Sequence, residues 1–175
     1  MPLRLALAAA LLAFAAAAPA QDAPPPIEEV AADLAYGYCP LYLAGQFPLT
    51  GNPRLERFGF GGAVATAQHP RAGTIETVSA AHRDGEVAFG GAPGSLCNVT
   101  VGGPRGEAVL ARLRRDMSLT GIQFAPDPGQ SGERGGVAVE SFKGRVAPRA
   151  MLHVQLLRMG GATPVVAVQL FATEE

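Results

Sequence analysis

The two cysteines of this 175-residue chain constrain its fold more than any other feature of the sequence. Cys39 and Cys97 are 58 residues apart, so a bridge between them would close a large loop. In the chain-entropy picture such a bridge stabilises the fold by at most about 4 kcal/mol. An even number of cysteines predicts a disulfide when the chain folds in an oxidising compartment. Buried free thiols, or a metal site that includes histidines, are the alternatives.

The first twenty residues predict such a compartment. Arg4 supplies a positive charge, residues 5–18 form an apolar run, and Ala18 and Ala20 are small residues at the positions that a signal peptidase reads. We expect cleavage before Gln21 and a periplasmic or secreted protein, with no stable membrane span after cleavage. An uncleaved membrane anchor is the alternative. The single lysine among many arginines, alanines and glycines favours a bacterial periplasm.

After the signal peptide (residues 1–20), residues 21–26 are rich in proline and predict a short flexible leader. Residues 27–175 predict one globular domain. Two of its segments, about residues 27–39 and 107–119, show apolar side chains at helical spacing. Pro40 should end or kink the first helix near Cys39.

The second helix should bury one stripe of apolar side chains: Val109, Leu110, Leu113 and Met117. Asp116 should lie on the opposite side with Arg112 and Arg115.

Alternation of apolar and polar residues, or short apolar runs, predicts strands at residues 74–81, 86–89, 96–101, 137–142, 152–156 and 165–172. In the third of these, Cys97, Val99 and Val101 should face the core. The nearly continuous apolar run of the last predicts a central strand. Strands joined by short turns predict an α+β fold, with an antiparallel sheet of about five to seven strands and two helices packed on one face.

Two segments lack such patterns. Residues 45–73 are punctuated by glycine and proline and should be mostly loop, with a short strand at residues 63–67. Residues 126–136 contain no large apolar side chain and should form an exposed polar loop.

The charge balance and the missing motifs exclude several functions. With 14 basic and 15 acidic residues, the net charge of -1 does not favour nucleic-acid binding. The sequence contains no G-x-S-x-G elbow, no Walker loop, no G-x-G-x-x-G and no C-x-x-C. We therefore expect no cofactor, no metal and no motif-defined catalytic residue. No motif in the chain is specific for one protein family.

One dispersed hydrolytic site can still be named. His82 and Asp84 are close in sequence, and Ser79 and Ser95 are available as nucleophiles. A polar hairpin turn is the simpler interpretation of His82 and Asp84.

No pair of glycosidase carboxylates can be nominated from the sequence, and one glycine loop is a further candidate. Glu76, Glu86 and Glu140 should lie on strands, as paired carboxylates of a glycosidase could, although any sheet surface shows such residues. Residues 101–106 run from a strand through glycines into a helix, where Arg105 and the helix N-terminus could bind an anion. A plain strand–turn–helix connection is the favoured interpretation.

All three tyrosines, Tyr36, Tyr38 and Tyr42, lie within seven residues. They could line a ligand groove. Packing against the core with the hydroxyls reaching the surface is the favoured interpretation.

The missing motifs favour a small exported, non-catalytic protein that binds a ligand or an envelope protein partner. The alternative is a small periplasmic hydrolase with a dispersed site that includes His82. A third hypothesis is a structural or inhibitor-type protein that recognises another protein through a sheet edge. An apolar cavity beside the tyrosines would favour ligand binding, and an exposed flat strand would favour a protein partner.

Overall fold

A nine-stranded antiparallel sheet supports the other elements of the fold. The structure is a computed structural model that describes residues 24–69 and 72–174. The predicted signal peptide, its cleavage site and the beginning of the leader lie outside these residues. The strands are β1 Ala65–His69, β2 Gly73–His82, β3 Gly85–Ala92, β4 Leu96–Gly102, β5 Ala125–Pro126, β6 Gly132–Arg134, β7 Val137–Ala147, β8 Ala150–Met159 and β9 Val165–Glu174.

The strand order across the sheet is β1-β2-β3-β4-β9-β8-β7-β5, and β6 also pairs with β7. The predicted α+β class is confirmed, although the sheet has more strands than the five to seven expected. The alternating segments form the strands that were predicted from them. Cys97, Val99 and Val101 are buried as expected. The strand that begins at Val165 lies between β4 and β8, and therefore in the centre of the sheet.

The strand predicted at residues 63–67 is present as β1, two residues further along the chain, and the additional strands come from segments that carry little pattern. Every residue of β1 is exposed, because β1 lies at the edge of the sheet and has no core face. Within the predicted loop at residues 45–73 the structure also contains helix α3 Pro53–Glu56, whose N-cap is Asn52. The predicted loop at residues 126–136 is largely exposed, but it includes β6. Backbone pairing with β7, and not side-chain burial, orders that segment.

The first helical stretch continues past Pro40. It consists of α1 Ile27–Ala32, a π-helical segment Asp33–Tyr38 and α2 Cys39–Leu43. The Cys39 amide donates to the Leu34 carbonyl, five residues back, as in a π-helix. This wider turn places Pro40 at the start of α2, where its missing N–H needs no helical partner. The expected end or kink near Cys39 is therefore a change of helix type.

Helix α4, Gly106–Met117, buries the predicted stripe, and a 3-10 turn, Ser118–Thr120, follows it. The prediction that Asp116 lies on the solvent side of the helix is wrong, because Asp116 is only 8% exposed. Its carboxylate accepts hydrogen bonds from Arg112 and Arg115. The arginine side chains remain at the surface and partner the carboxylate at the edge of the buried stripe.

The helices cover one face of the sheet. Their buried side chains form one hydrophobic core with the inward residues of β2, β3, β4, β8 and β9. Within the described residues no helix covers the other face, which we call the open face. No helix in the described part of the chain is long and apolar enough to cross a membrane.

One leucine in α4 and one in the 3-10 turn after it test which side chains of this region face the core. Leu113 is 1% exposed and Leu119, in the following 3-10 turn, is 78% exposed. We expect Leu113→Ala to lower the free energy of unfolding by about 2–5 kcal/mol, because it leaves a cavity in the core. Leu119→Ala should change it by less than about 0.5 kcal/mol. Urea denaturation of the two variants measures the difference, and equal costs would contradict the assignment.

Candidate functional site

A disulfide joins the first helical stretch to the sheet. Cys39, the first residue of α2, is bonded to Cys97 in β4, with a Cα–Cα distance of 5.5 Å. Both residues are fully buried. The predicted bridge is confirmed, and it places α2 over the inward face of β4.

Aromatic packing extends from this bridge. Tyr42 lies one turn after Cys39, and its hydroxyl donates to the Gly91 carbonyl over 2.8 Å. The Tyr42 and Phe47 rings both pack edge-on against Phe89, at centroid distances of 5.8 and 5.7 Å. The loop after α2 is thereby held against β3 as well as against its own helix.

A surface cavity of about 410 Å³ lies between this loop and the sheet. It is lined by Tyr42, residues 45–49, Glu76 and Pro93, and we call it the tyrosine cleft. Phe47 and Leu49 are buried in its wall, whereas Gln46 and Pro48 are exposed. The cleft is apolar apart from the Gln46 amide, the Glu76 carboxylate and backbone groups.

Gly91 is the strand residue to which Tyr42 of the tyrosine cleft is bonded. Glu76, Gly91 and Cys97 lie opposite one another on β2, β3 and β4. Gly91 has a φ of +143°, and a Cβ there would lie 2.0 Å from the Leu96 carbonyl oxygen. Only glycine fits this position. The Tyr42 hydroxyl reaches the buried Gly91 carbonyl.

Glu76 is the one ionisable carboxyl group of the tyrosine cleft. It is half-buried, and no described residue donates a hydrogen bond to its side chain or forms an ion pair with it. Burial, and to a smaller degree the Glu76 charge, raises the pKa of Tyr42 to about 12. The Tyr42 hydroxyl therefore stays protonated at neutral pH and keeps donating to Gly91.

Of the candidate hydrolase residues, the structure brings His82 and Asp84 together, with Nδ1 and Oδ2 3.6 Å apart, but neither serine joins them. His82 Nδ1 accepts from the Asp84 amide over 3.1 Å, so Nε2 carries the proton and donates to the Pro25 carbonyl over 3.0 Å. Ser79 is exposed on the opposite face of β2. Ser95 lies in the β3–β4 turn, at the other end of β3 from His82. His82 here anchors the chain that leads into α1.

The three strand carboxylates are also separated. Glu86 lies on the open face, one residue before the buried Val87. Glu140 accepts a hydrogen bond from Arg114 Nε over 2.8 Å, and this bond is the main cause of its lowered pKa. Glu76 alone of the three faces a cavity without a cationic partner.

The positive charge of the glycine loop at residues 101–106, on Arg105, is paired with an acidic side chain of the same protein. Arg105 forms an ion pair with Glu28 of α1. The hydrogen bond from Arg105 is the main reason why the pKa of Glu28 lies below its usual range. The favoured interpretation as a plain connection agrees with this pairing.

The other two tyrosines are half-buried and pack against the core, and the hydroxyl group of each forms a hydrogen bond. Tyr36 donates to the Leu113 carbonyl of α4 over 2.8 Å. The Tyr38 hydroxyl accepts from Arg57 over 2.6 Å, and its ring stacks on Phe47 at 4.9 Å. Only Tyr42 of the three lines the tyrosine cleft.

The position of Glu76 in the tyrosine cleft was not predicted, although the sequence of β2 carries one signal of it. Successive side chains of a strand point to opposite faces of the sheet, so Glu76 lies on the same face of β2 as the buried Val78 and Ala80. It therefore occupies an inward-facing position. A carboxylate at such a position needs a partner or a cavity. The loop at residues 45–49 gave no comparable signal.

A second apolar cavity, of about 420 Å³, lies between α4 and β7 and includes Gln123 and Phe142 in its lining. Its one charged group, Arg114, is already paired with Glu140. Comparison of the chain with protein-family models, with curated proteins and with solved structures gives no match.

Proposed function

We propose that the chain is a non-catalytic protein of the periplasm that binds a small ligand in the tyrosine cleft. The observation that carries the proposal is an apolar cavity beside the tyrosines, with walls that are fixed before any ligand arrives. The Cys39–Cys97 bridge, the Tyr42–Gly91 hydrogen bond and the ring contacts of Phe47 fix these walls. Its volume lies within the range of small-molecule sites, and a rigid cavity loses little entropy on binding.

The disulfide supports the periplasmic part of the proposal, because such bridges persist in oxidising compartments. The apolar segment at residues 1–20 supports export. The non-catalytic part is supported by His82, whose ring nitrogens both bond to backbone groups and whose candidate serines lie elsewhere.

A substitution that fills the tyrosine cleft tests the ligand-binding proposal. Gln46 is exposed at its rim, so Gln46→Trp should occupy the cavity without disturbing the core. A fragment library titrated into the labelled protein should shift amide resonances around residues 45–49, and these shifts should disappear in Gln46→Trp.

The matched control is Gln123→Trp, which fills the cavity between α4 and β7. It should leave the fragment shifts at the tyrosine cleft unchanged. Fragments that bind Gln46→Trp as well as the wild type, or an absence of binding at residues 45–49, would reject this cavity as the ligand site.

An envelope protein partner is a second candidate, and the edge strand β1 favours it. The outer edge of β1 pairs with no strand of the described chain. Its five residues are all exposed and include no lysine, proline or acidic residue, the usual protections of an edge. A partner could add an extended segment as a further strand.

A lysine on β1 tests this second candidate. Ala67→Lys should block strand addition and abolish capture of any edge-bound protein from an envelope extract. Ser79→Lys, on the neighbouring strand β2, is the control and should retain the captured protein. Mass spectrometry of the two eluates compares them. Identical eluates from both variants and the wild type would contradict partner binding at this edge.

A further inference from the structure

We infer that the ligand of the tyrosine cleft is a small organic cation, an amine with an apolar body. The inference rests on the proposed function and adds the chemical class of the ligand. Two features of one cavity support it. The cavity contains a single unpaired carboxylate, and its walls are aromatic, proline and aliphatic side chains.

The charge of Glu76 is the first argument. A half-buried carboxylate has lost part of its hydration, and proteins usually compensate such a group with a cation or with hydrogen bonds. The exposed strand carboxylate of Glu140 has Arg114 as its partner. Glu76 has no partner in the described chain, and the cavity lies where one would bind.

Arg57, which bonds to Tyr38 of the same aromatic cluster, already has its own partners. Arg57 follows α3, donates to the Tyr38 hydroxyl and lies over the Phe58 ring at 4.5 Å. It forms no hydrogen bond or ion pair with Glu76, and its side chain does not line the tyrosine cleft. No side chain of the described residues therefore supplies a positive charge to Glu76.

The apolar walls of the tyrosine cleft favour a ligand whose uncharged part is also apolar. Phe47, Leu49 and Pro93 offer apolar surface next to the carboxylate. Such surface favours a hydrocarbon or aromatic body, and the face or edge of an aromatic ring adds a further attraction for a nearby ammonium group. A fully polar cation would gain from Glu76 only and would leave the walls hydrated.

Other charged ligands fit less well. An anion would be repelled by Glu76 at short range. A divalent metal ion requires several oxygen, nitrogen or sulfur ligands, and no group of three or more acidic, histidine or cysteine side chains occurs within the described residues. A monovalent organic cation needs one carboxylate and apolar contacts, which the tyrosine cleft provides.

Three probes of one shape and different charge test the inference: benzylamine, benzyl alcohol and benzoate. In titrations followed by amide resonances at residues 45–49, benzylamine should bind about ten-fold more tightly than benzyl alcohol, because one ion pair is added. Benzoate should not bind. Equal affinity for benzylamine and benzyl alcohol in the wild-type protein would overturn the inference, and this comparison depends on no variant.

Glu76→Gln then removes the charge and keeps the shape. Its affinity for benzylamine should fall about ten-fold, to that of benzyl alcohol, whose own affinity should not change. Glu86→Gln, on the next strand and on the open face, is the control and should retain the preference. Circular dichroism and thermal unfolding confirm that both variants are folded. An unchanged benzylamine affinity in Glu76→Gln would overturn the inference.

The result also separates this inference from the proposed function. If neutral probes bind at residues 45–49 without a preference for the cation, the cavity is a ligand site but not a cation site. If neither these probes nor a fragment library binds there, both proposals fail.

Discussion

The Cys39–Cys97 bridge determines where the first helical stretch lies on the sheet. Helix α2 has only five residues, which is too short to be stable by itself. The bridge joins its first residue to β4, and the Tyr42 hydroxyl bonds to the neighbouring strand β3 one turn later. These two attachments position the loop at residues 45–49, and with it the tyrosine cleft.

The π-helical segment makes this attachment compatible with Pro40. A regular α-helix would need an amide at residue 40 and would place the proline ring against the carbonyl one turn earlier. The Asp33–Tyr38 segment adds one residue to a turn, so that a new α-helix begins at Cys39. On either side of Pro40, Tyr38 meets Arg57 at the surface and Tyr42 is buried. Pro40 can therefore follow directly after a cysteine that faces the sheet.

Much of the fold could be predicted from the sequence, because burial imposes periodicity. The alternation around Cys97 and the stripe that includes Leu113 predicted β4 and α4 and their buried faces. Asp116 was misplaced because a charged residue at the margin of a stripe can turn inward when arginines accompany it. Strand β1 lies two residues further along the chain than the strand predicted at residues 63–67. Strand β6 was missed because backbone pairing at a sheet edge leaves no trace in the pattern of apolar residues.

The candidate site was less predictable, because it depends on residues that meet only after folding. Glu76, Gly91 and Cys97 share a row through strand register, and their spacing in the sequence contains no motif. The sequence shows that Tyr42 is an aromatic residue near a cysteine. Its hydrogen bond to Gly91 could not be predicted from the sequence. The alternation of Glu76 with Val78 and Ala80 was the one local signal of an inward-facing charge.

Amide hydrogen exchange of the oxidised and the reduced protein tests most directly whether the bridge holds the tyrosine cleft. Exchange reports the local opening of each element separately. We predict that reduction accelerates exchange of the amides in residues 39–49, because α2 and its loop lose their covalent attachment to β4. The amides that pair β8 with β9 should keep their protection, since those strands are joined by their own ladder and core contacts. Unchanged protection of residues 39–49 after reduction would contradict the account.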